Sequence, residues 1–212
     1  MGKLRARSQA ELDQRYTDIL NAASELFMDN NYEDLSLTSI AKSIGLSRPA
    51  LYSYFHSKEA LFLELSKREY ITVAKEMQVK FTKPIGLEDF CANLVAIFLH
   101  HRLFLKLLAL HQTVMETKVG IAQMKEFKTS TVPFFRTMFI ITKQEFPRAA
   151  TEQLYHFIEQ INVLLPTINN YISIPQEQAT VMRDLKIFGG APLLDAKIFY
   201  TNMLKSLAQP LI

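Results

Sequence analysis

The chain has 212 residues, 49% of them hydrophobic and 21% charged, with a formal net charge of +3 at pH 7. That length and balance suit one or two globular domains with a substantial core, and exclude a disordered or fibrous chain. Cys91 is the lone cysteine; it forbids an intrachain disulfide, fits a reducing compartment and leaves a redox-sensing thiol as a minor alternative.

A charge of +3 is too small to announce a nucleic-acid partner, but its distribution says more. No acidic residue falls between Asp34 and Glu59, a stretch that holds Lys42, Arg48, His56 and Lys58. The first ten residues are also acid-free and carry Lys3, Arg5 and Arg7, either as a solvated tail or as an arm for a DNA backbone or minor groove. This start has no apolar h-region of a secretory signal, and Ala6 stands where N-myristoylation requires Ser or Thr. The apolar run from Leu94 to Leu110 contains His100, His101, Arg102 and Lys106, which are costly at a bilayer centre, so it reads as a buried soluble helix. The expectation is a cytoplasmic protein with no membrane partner.

Alternating β patterns and hairpin turns are missing, and the whole chain reads as all-α. Ser8 and Glu11 form a candidate capping box, after which Tyr16, Ile19, Leu20, Ala23, Leu26 and Phe27 recur at helical spacing up to Asp29. Ser36 caps a short second helix with inner face Leu37, Ile40, Ala41 and Ile44, and Gly45 stops it. Ser47 and Pro49 then start a third helix, expected from about Arg48 to Phe55. Ser57 caps a long fourth one, about residues 58–81, which Pro84 and Gly86 end.

The best domain boundary is Lys83 to Gly86, since the chain beyond is richer in Leu, Phe and Met. It divides a DNA-binding unit, residues 1–58 with its linking helix, from a C-terminal unit, residues 85–212. Further helices are expected over Leu87–Leu99, Arg102–Thr117, Gly120–Phe146, Ala149–Ser173 and Ala196–Leu207. A loop with one short helical piece is expected from Ile174 to Asp195, and Pro166 is a candidate kink.

The segment that carries chemistry is Ser39 to Leu61. Two short helices joined by a tight Gly-containing turn cross steeply, so the second can enter a major groove while the first braces the backbone. Leu51 and Phe55, four apart, should face the core; Arg48, Ala50, Ser53 and Tyr54 should point outward. Arg can bind guanine bidentately, Ala can touch a thymine methyl, and hydroxyls or an ammonium can hold phosphate. Thr38 and Lys58 begin helices two and four, whose N-termini favour phosphate. Tyr52 can pack, meet phosphate, or do both.

Through Ala23, Leu26, Phe27, Tyr32, Leu37, Ile40, Ala41, Gly45, Ser47, Leu51, Tyr52, Phe55, Lys58, Glu59 and Leu61 the sequence resembles the tetracycline-repressor-like (TetR) regulators. The resemblance implies an all-helical homodimer with a homeodomain-like, three-helix headpiece that binds double-stranded operator DNA. It also implies a fourth helix leading to a ligand-binding domain, and a four-helix interface between subunits made by the last two long helices. By position, Thr38, Tyr52 and Lys58 match family phosphate contacts, while Arg48, Ala50, Ser53 and Tyr54 match base readers or their neighbours. Position 54 is often His in the family and is Tyr here, which leaves its contact open.

In the C-terminal unit, Phe98, Phe104, Met115, Met124, Phe127, Phe135, Met138 and Phe157 are candidates to line a pocket for a small apolar or amphipathic effector; most of the aromatic and Met residues there should be plain core. His100, His101 and His111 suggest a metal, yet helix neighbours point about 100° apart and positions eleven apart lie roughly 16 Å along the axis. They read as core, interface or pocket residues, and no metal or cofactor is expected. With no phosphate loop, nucleophile elbow or metalloprotease signature, the expected function is a repressor released by an effector. A constitutive regulator or activator is the alternative, and a helical enzyme or scaffold stands third.

Overall fold

A computed structural model of the protein describes residues 8–110 and 116–212. Lys3, Arg5, Arg7, His111 and Met115 therefore lie outside the described residues. Among those described, every regular element is helical: α1 (Gln9–Asp29), α2 (Leu37–Ser43), α3 (Arg48–Tyr52), α4 (Lys58–Lys80), α5 (Leu87–His100), α6 (Arg102–Leu110), α7 (Ile121–Glu145), α8 (Thr151–Ile172), α9 (Gln176–Asp184) and α10 (Ala196–Ala208), with single 3-10 turns at Glu116–Lys118 and Gln209–Leu211.

The N-terminal boundaries are set by side chains that satisfy orphan backbone donors. At the start of α1 the Ser8 backbone N–H donates to Glu11 Oε2 at 2.8 Å while Ser8 Oγ accepts from the Glu11 N–H. Ser36, Ser47 and Ser57 cap α2, α3 and α4 in the same way, accepting from Ser39, Ala50 and Ala60. Between α2 and α3 the chain turns through Gly45 at φ +65°. There the Leu46 N–H closes on Ala41 O at 2.9 Å, the wide bond of a Schellman stop.

Helix α1 buries Ile19, Leu20, Ala23 and Phe27 against α2 and α4. Phe62 of α4 meets Phe27 and Tyr32 edge-on, with ring centroids 5.1 and 4.9 Å apart. Lower on the same helix, Tyr70 sits edge-on between Phe104 of α6 and Phe134 of α7, at 5.0 and 5.1 Å. Thus α4 contributes its first half to the N-terminal core and its second half to the C-terminal one, where it packs chiefly on α7. The remaining layers pair α5 with α10 and α6 with α8, while α8 also lies against α10.

Two expectations change. Helix α3 ends at Tyr52, not near Phe55, because the chain tightens there: the N–H groups of Tyr54 and Phe55 both reach Leu51 O. Glu116 and Thr117, expected at the end of the α6 helix, belong instead to a 3-10 turn. Pro166, the candidate kink, lies inside α8, whose span to Ile172 is close to the expected Ala149–Ser173. No single described helix is long and apolar enough to cross a membrane, and α5 and α6 meet at an angle of 80°.

Candidate nucleic-acid interface

The surface of α2 and α3 is built from a buried anchor and an exposed rim. Leu51 and Phe55 are buried as expected, and Phe55 packs on Tyr16 of α1 with centroids 5.2 Å apart. On the other side Thr38, Arg48, Tyr52 and Ser53 are exposed, while Ala50 is half-buried. Arg48 lies along Tyr52, its guanidinium carbon 5.3 Å from the ring centroid, and its Nη2 donates to the Tyr52 hydroxyl at 3.4 Å. The pair forms a cation–aromatic plate with donors free at its edge. Ser53 donates its hydroxyl to Ala50 O at 2.7 Å, so toward solvent it offers acceptor lone pairs.

Tyr54 departs from the outward set. The turn after Tyr52 swings it to the half-buried edge of the core, where its hydroxyl is enclosed and lacks a partner among the described residues. Lys58 has also turned inward: its ammonium lies 4.0 Å from the Tyr32 ring centroid and donates to Tyr32 O at 2.7 Å and Leu35 O at 2.8 Å. Partial burial lowers its pKa, opposed by Glu59. These two bonds use two of the three N–H groups of the ammonium. Tyr32, pressed against this cation, donates to Glu59 at 3.2 Å, and desolvation raises its pKa.

A second lysine was visible in the sequence only as an obstacle to membrane insertion. Lys106 of α6 reaches the end of α1 and donates to the carbonyls of Phe27, Met28 and Asn30 at 2.5, 3.1 and 3.0 Å. All three of its N–H groups are used there, at the negative end of the α1 dipole. A second bridge runs from α1 through α4 to α7. Tyr16 donates to Glu64 at 2.8 Å, Glu64 also accepts from Lys67, and Lys67 donates to Glu126 at 2.8 Å. Lys106, a cation in the middle of the otherwise apolar stretch that follows Arg102, is the available signal for the first bridge; no local signal announces the second.

Of the effector-pocket candidates, Phe98, Phe104, Phe127, Met138 and Phe157 are fully buried core, and Met124 and Phe135 are half-buried. Phe104 and Phe127 pack against Tyr70. A groove of about 540 Å³ runs instead along α8 and α10, between His156, Val163, Thr167, Met203 and Leu207. A neighbouring one of about 740 Å³ is bounded by Tyr171, Phe199 and Tyr200. Cys91 is buried, which pushes its thiol up to about 12, and Glu88 adds to the rise; it is not a thiolate at neutral pH.

Comparison with known proteins agrees with this arrangement. A family model for bacterial regulatory proteins of the tetR family matches residues 19–65, and one for tetracyclin repressor-like C-terminal domains matches residues 67–204. The HTH-type transcriptional activator FasR of Mycolicibacterium smegmatis is 41% identical over 56 residues, 26% of this chain and 26% of FasR. The HTH-type transcriptional regulator EthR of Mycobacterium tuberculosis is 45% identical over 56 residues, again 26% of each chain. The chain therefore aligns with 26% of the length of either relative.

Similar solved structures include a regulatory protein in the tetR family from Rhodococcus RHA1, with a TM-score of 0.62 at 13% identity, covering 97% of this chain and 98% of that one. The transcriptional regulator FadR from Bacillus subtilis, in complex with stearoyl-CoA, gives 0.60 at 16% identity, covering 92% and 98%. At such identities the likeness speaks for the fold alone. With its headpiece matched over residues 19–65 and the longer family model spanning 67–204, the chain belongs to the TetR family of bacterial regulatory proteins.

Proposed function

We propose that the protein is a sequence-specific, operator-binding regulator of transcription that acts as a homodimer and leaves its operator when a small apolar or amphipathic effector binds. The observation that carries this reading is the outer face of α3. Arg48, Tyr52 and Ser53 stand exposed on a helix anchored by Leu51 and Phe55, within a segment free of acidic residues from 35 to 58. On this reading residues 1–58 form the DNA-binding unit, α4 links, and residues 85–212 regulate and dimerise. Arg48, Ala50 and Ser53 face bases, Ser53 as an acceptor; Thr38, Tyr52 and the remaining donor of Lys58 face phosphates. Tyr54 joins them only if its ring swings out of the core edge.

Exposed apolar residues on α8 and α10, including Tyr155, Val163 and Ile198, support a dimer through these helices. Such a dimer sets its two α3 helices for successive major grooves, roughly 34 to 36 Å apart. Release works through the Lys106 and Glu64–Lys67–Glu126 bridges, since any shift of α6 or α7 pulls on α1 and α4. A coupling of about 1–3 kcal/mol is enough for a useful switch. The aromatic and Met side chains of the C-terminal core, and the acyl-CoA held by the FadR of Bacillus subtilis, support an apolar or amphipathic effector.

One observation favours a second reading, a constitutive regulator or activator with no effector: five of the eight pocket candidates are close-packed core. The test is equilibrium binding of the purified protein to labelled genomic fragments at physiological salt, with and without long-chain acyl compounds. Retention of a pseudo-palindromic fragment by a dimer is expected, weakened by the effector. A monomer with no fragment preference overturns the proposal, and a preference that no ligand shifts selects the second reading.

A further inference from the structure

On a continuous helix adjacent residues point about 100° apart, which separates His100 from His101. The structure removes that obstacle. His101 is not helical: it stands between α5 and α6 at φ −88°, ψ 66°, where the chain bends by 80°. The two imidazoles therefore converge, with centroids 5.1 Å apart. From α4, Glu76 reaches both, its Oε2 lying 2.7 Å from His101 Nε2 and 3.4 Å from His100 Nδ1. One potential ligand atom from each of the three residues lies within 4.8 Å of the others. Two bonds of about 2.1 Å at a tetrahedral angle hold their ligand atoms about 3.4 Å apart, the separation already present between His100 Nδ1 and Glu76 Oε2, while the hydrogen-bonded His101–Glu76 pair at 2.7 Å opens to admit the ion. The His100 ring is 73% exposed and still turns Nδ1 back toward the carboxylate.

We propose that Glu76, His100 and His101 form a binding site for a divalent transition-metal ion of the zinc type. Two imidazole nitrogens and one carboxylate oxygen are the donor set of borderline ions such as zinc, cobalt and nickel; magnesium and calcium prefer all-oxygen cages. Three protein ligands leave a fourth position open toward solvent beside His100, as in an exchangeable site rather than a closed structural one. His101 and Glu76 are partly sheltered, which fixes two ligands before the ion arrives. Occupancy ties the second half of α4 to the α5–α6 corner, next to the helix whose Lys106 holds the end of α1. Metal binding and the position of the headpiece are then mechanically adjacent.

The test uses the full-length, tag-free protein, stripped with a chelator and titrated with zinc chloride by calorimetry and with cobalt chloride by visible absorption. One equivalent per chain is expected, with cobalt bands of a four-coordinate nitrogen–oxygen site. His100→Ala, at an exposed position where folding is not at stake, should weaken binding by about 10- to 100-fold or more, and Glu76→Gln should do likewise. His156→Ala, remote on α8, should leave it unchanged. Absence of saturable binding, or equal affinity in His100→Ala, Glu76→Gln and the unmodified chain, overturns the proposal and leaves a simple histidine–carboxylate hydrogen bond.

Discussion

On the proposed reading Arg48 and Lys58, two cations of the headpiece, divide the labour of meeting DNA unequally. Arg48 is exposed and braced only by Tyr52, so Arg48→Ala should leave the melting temperature unchanged. It should lower discrimination between operator and mismatched sequence by about 1–3 kcal/mol, measured by competition binding. Lys58 already holds two backbone carbonyls of the α1–α2 connection. Lys58→Ala should therefore act twice: it destabilises the fold by about 1–3 kcal/mol, read by thermal melting, and reduces the salt slope of DNA binding by about one charge. A variant with wild-type stability but weaker binding would show that the two carbonyls find other donors. Lys106→Met keeps the apolar stem but leaves the carbonyls of Phe27, Met28 and Asn30 without their donor. It should cost about 1–3 kcal/mol of stability and blunt the response of DNA affinity to effector. An undiminished response would remove Lys106 from the coupling route.

The helices themselves were largely legible, because serine caps, Gly45 and the proline and glycine after α4 are local signals that a single sequence carries. Gly45 shows how local: at φ +65° it occupies the left-handed region, and a Cβ built there meets nothing within 4 Å. Gly45→Ala should thus cost only backbone strain, about 1–2 kcal/mol, seen in thermal melting together with weaker operator binding as α3 loses its angle. A cost much larger than this would mean that the turn is held by contacts beyond its own backbone. What sequence could not give was anything decided by a turn or by a distant partner. Tyr54 follows the end of α3 by two residues, so its direction depends on how the chain tightens there. In sequence the two histidines are helix neighbours about 100° apart, and the break at His101 changes their bearing. Glu76 and Lys106 act on partners 25 and 76 to 79 residues away, beyond the reach of any periodicity. The effector-pocket candidates share only a residue type, and type does not separate a cavity wall from a filled core.

At the scale of the molecule, the shared helix α4 has a consequence for any attempt to take the protein apart. Its Leu61, Phe62 and Leu65 are buried, with Phe62 against Phe27 and Tyr32, and its Tyr70, Val73 and Met77 are buried farther along, with Tyr70 against Phe104 and Phe134. Calorimetry should therefore show one cooperative unfolding transition, with matching calorimetric and van't Hoff enthalpies; two resolved transitions would mean that the halves melt independently. Wherever the chain is severed along this helix, one fragment inherits a naked oily stripe that only the other can cover. The headpiece is accordingly not a portable module that could be grafted onto an unrelated partner: to move it is to carry the first turns of α4, and to strip it of the C-terminal helices is to leave that shared stripe bare.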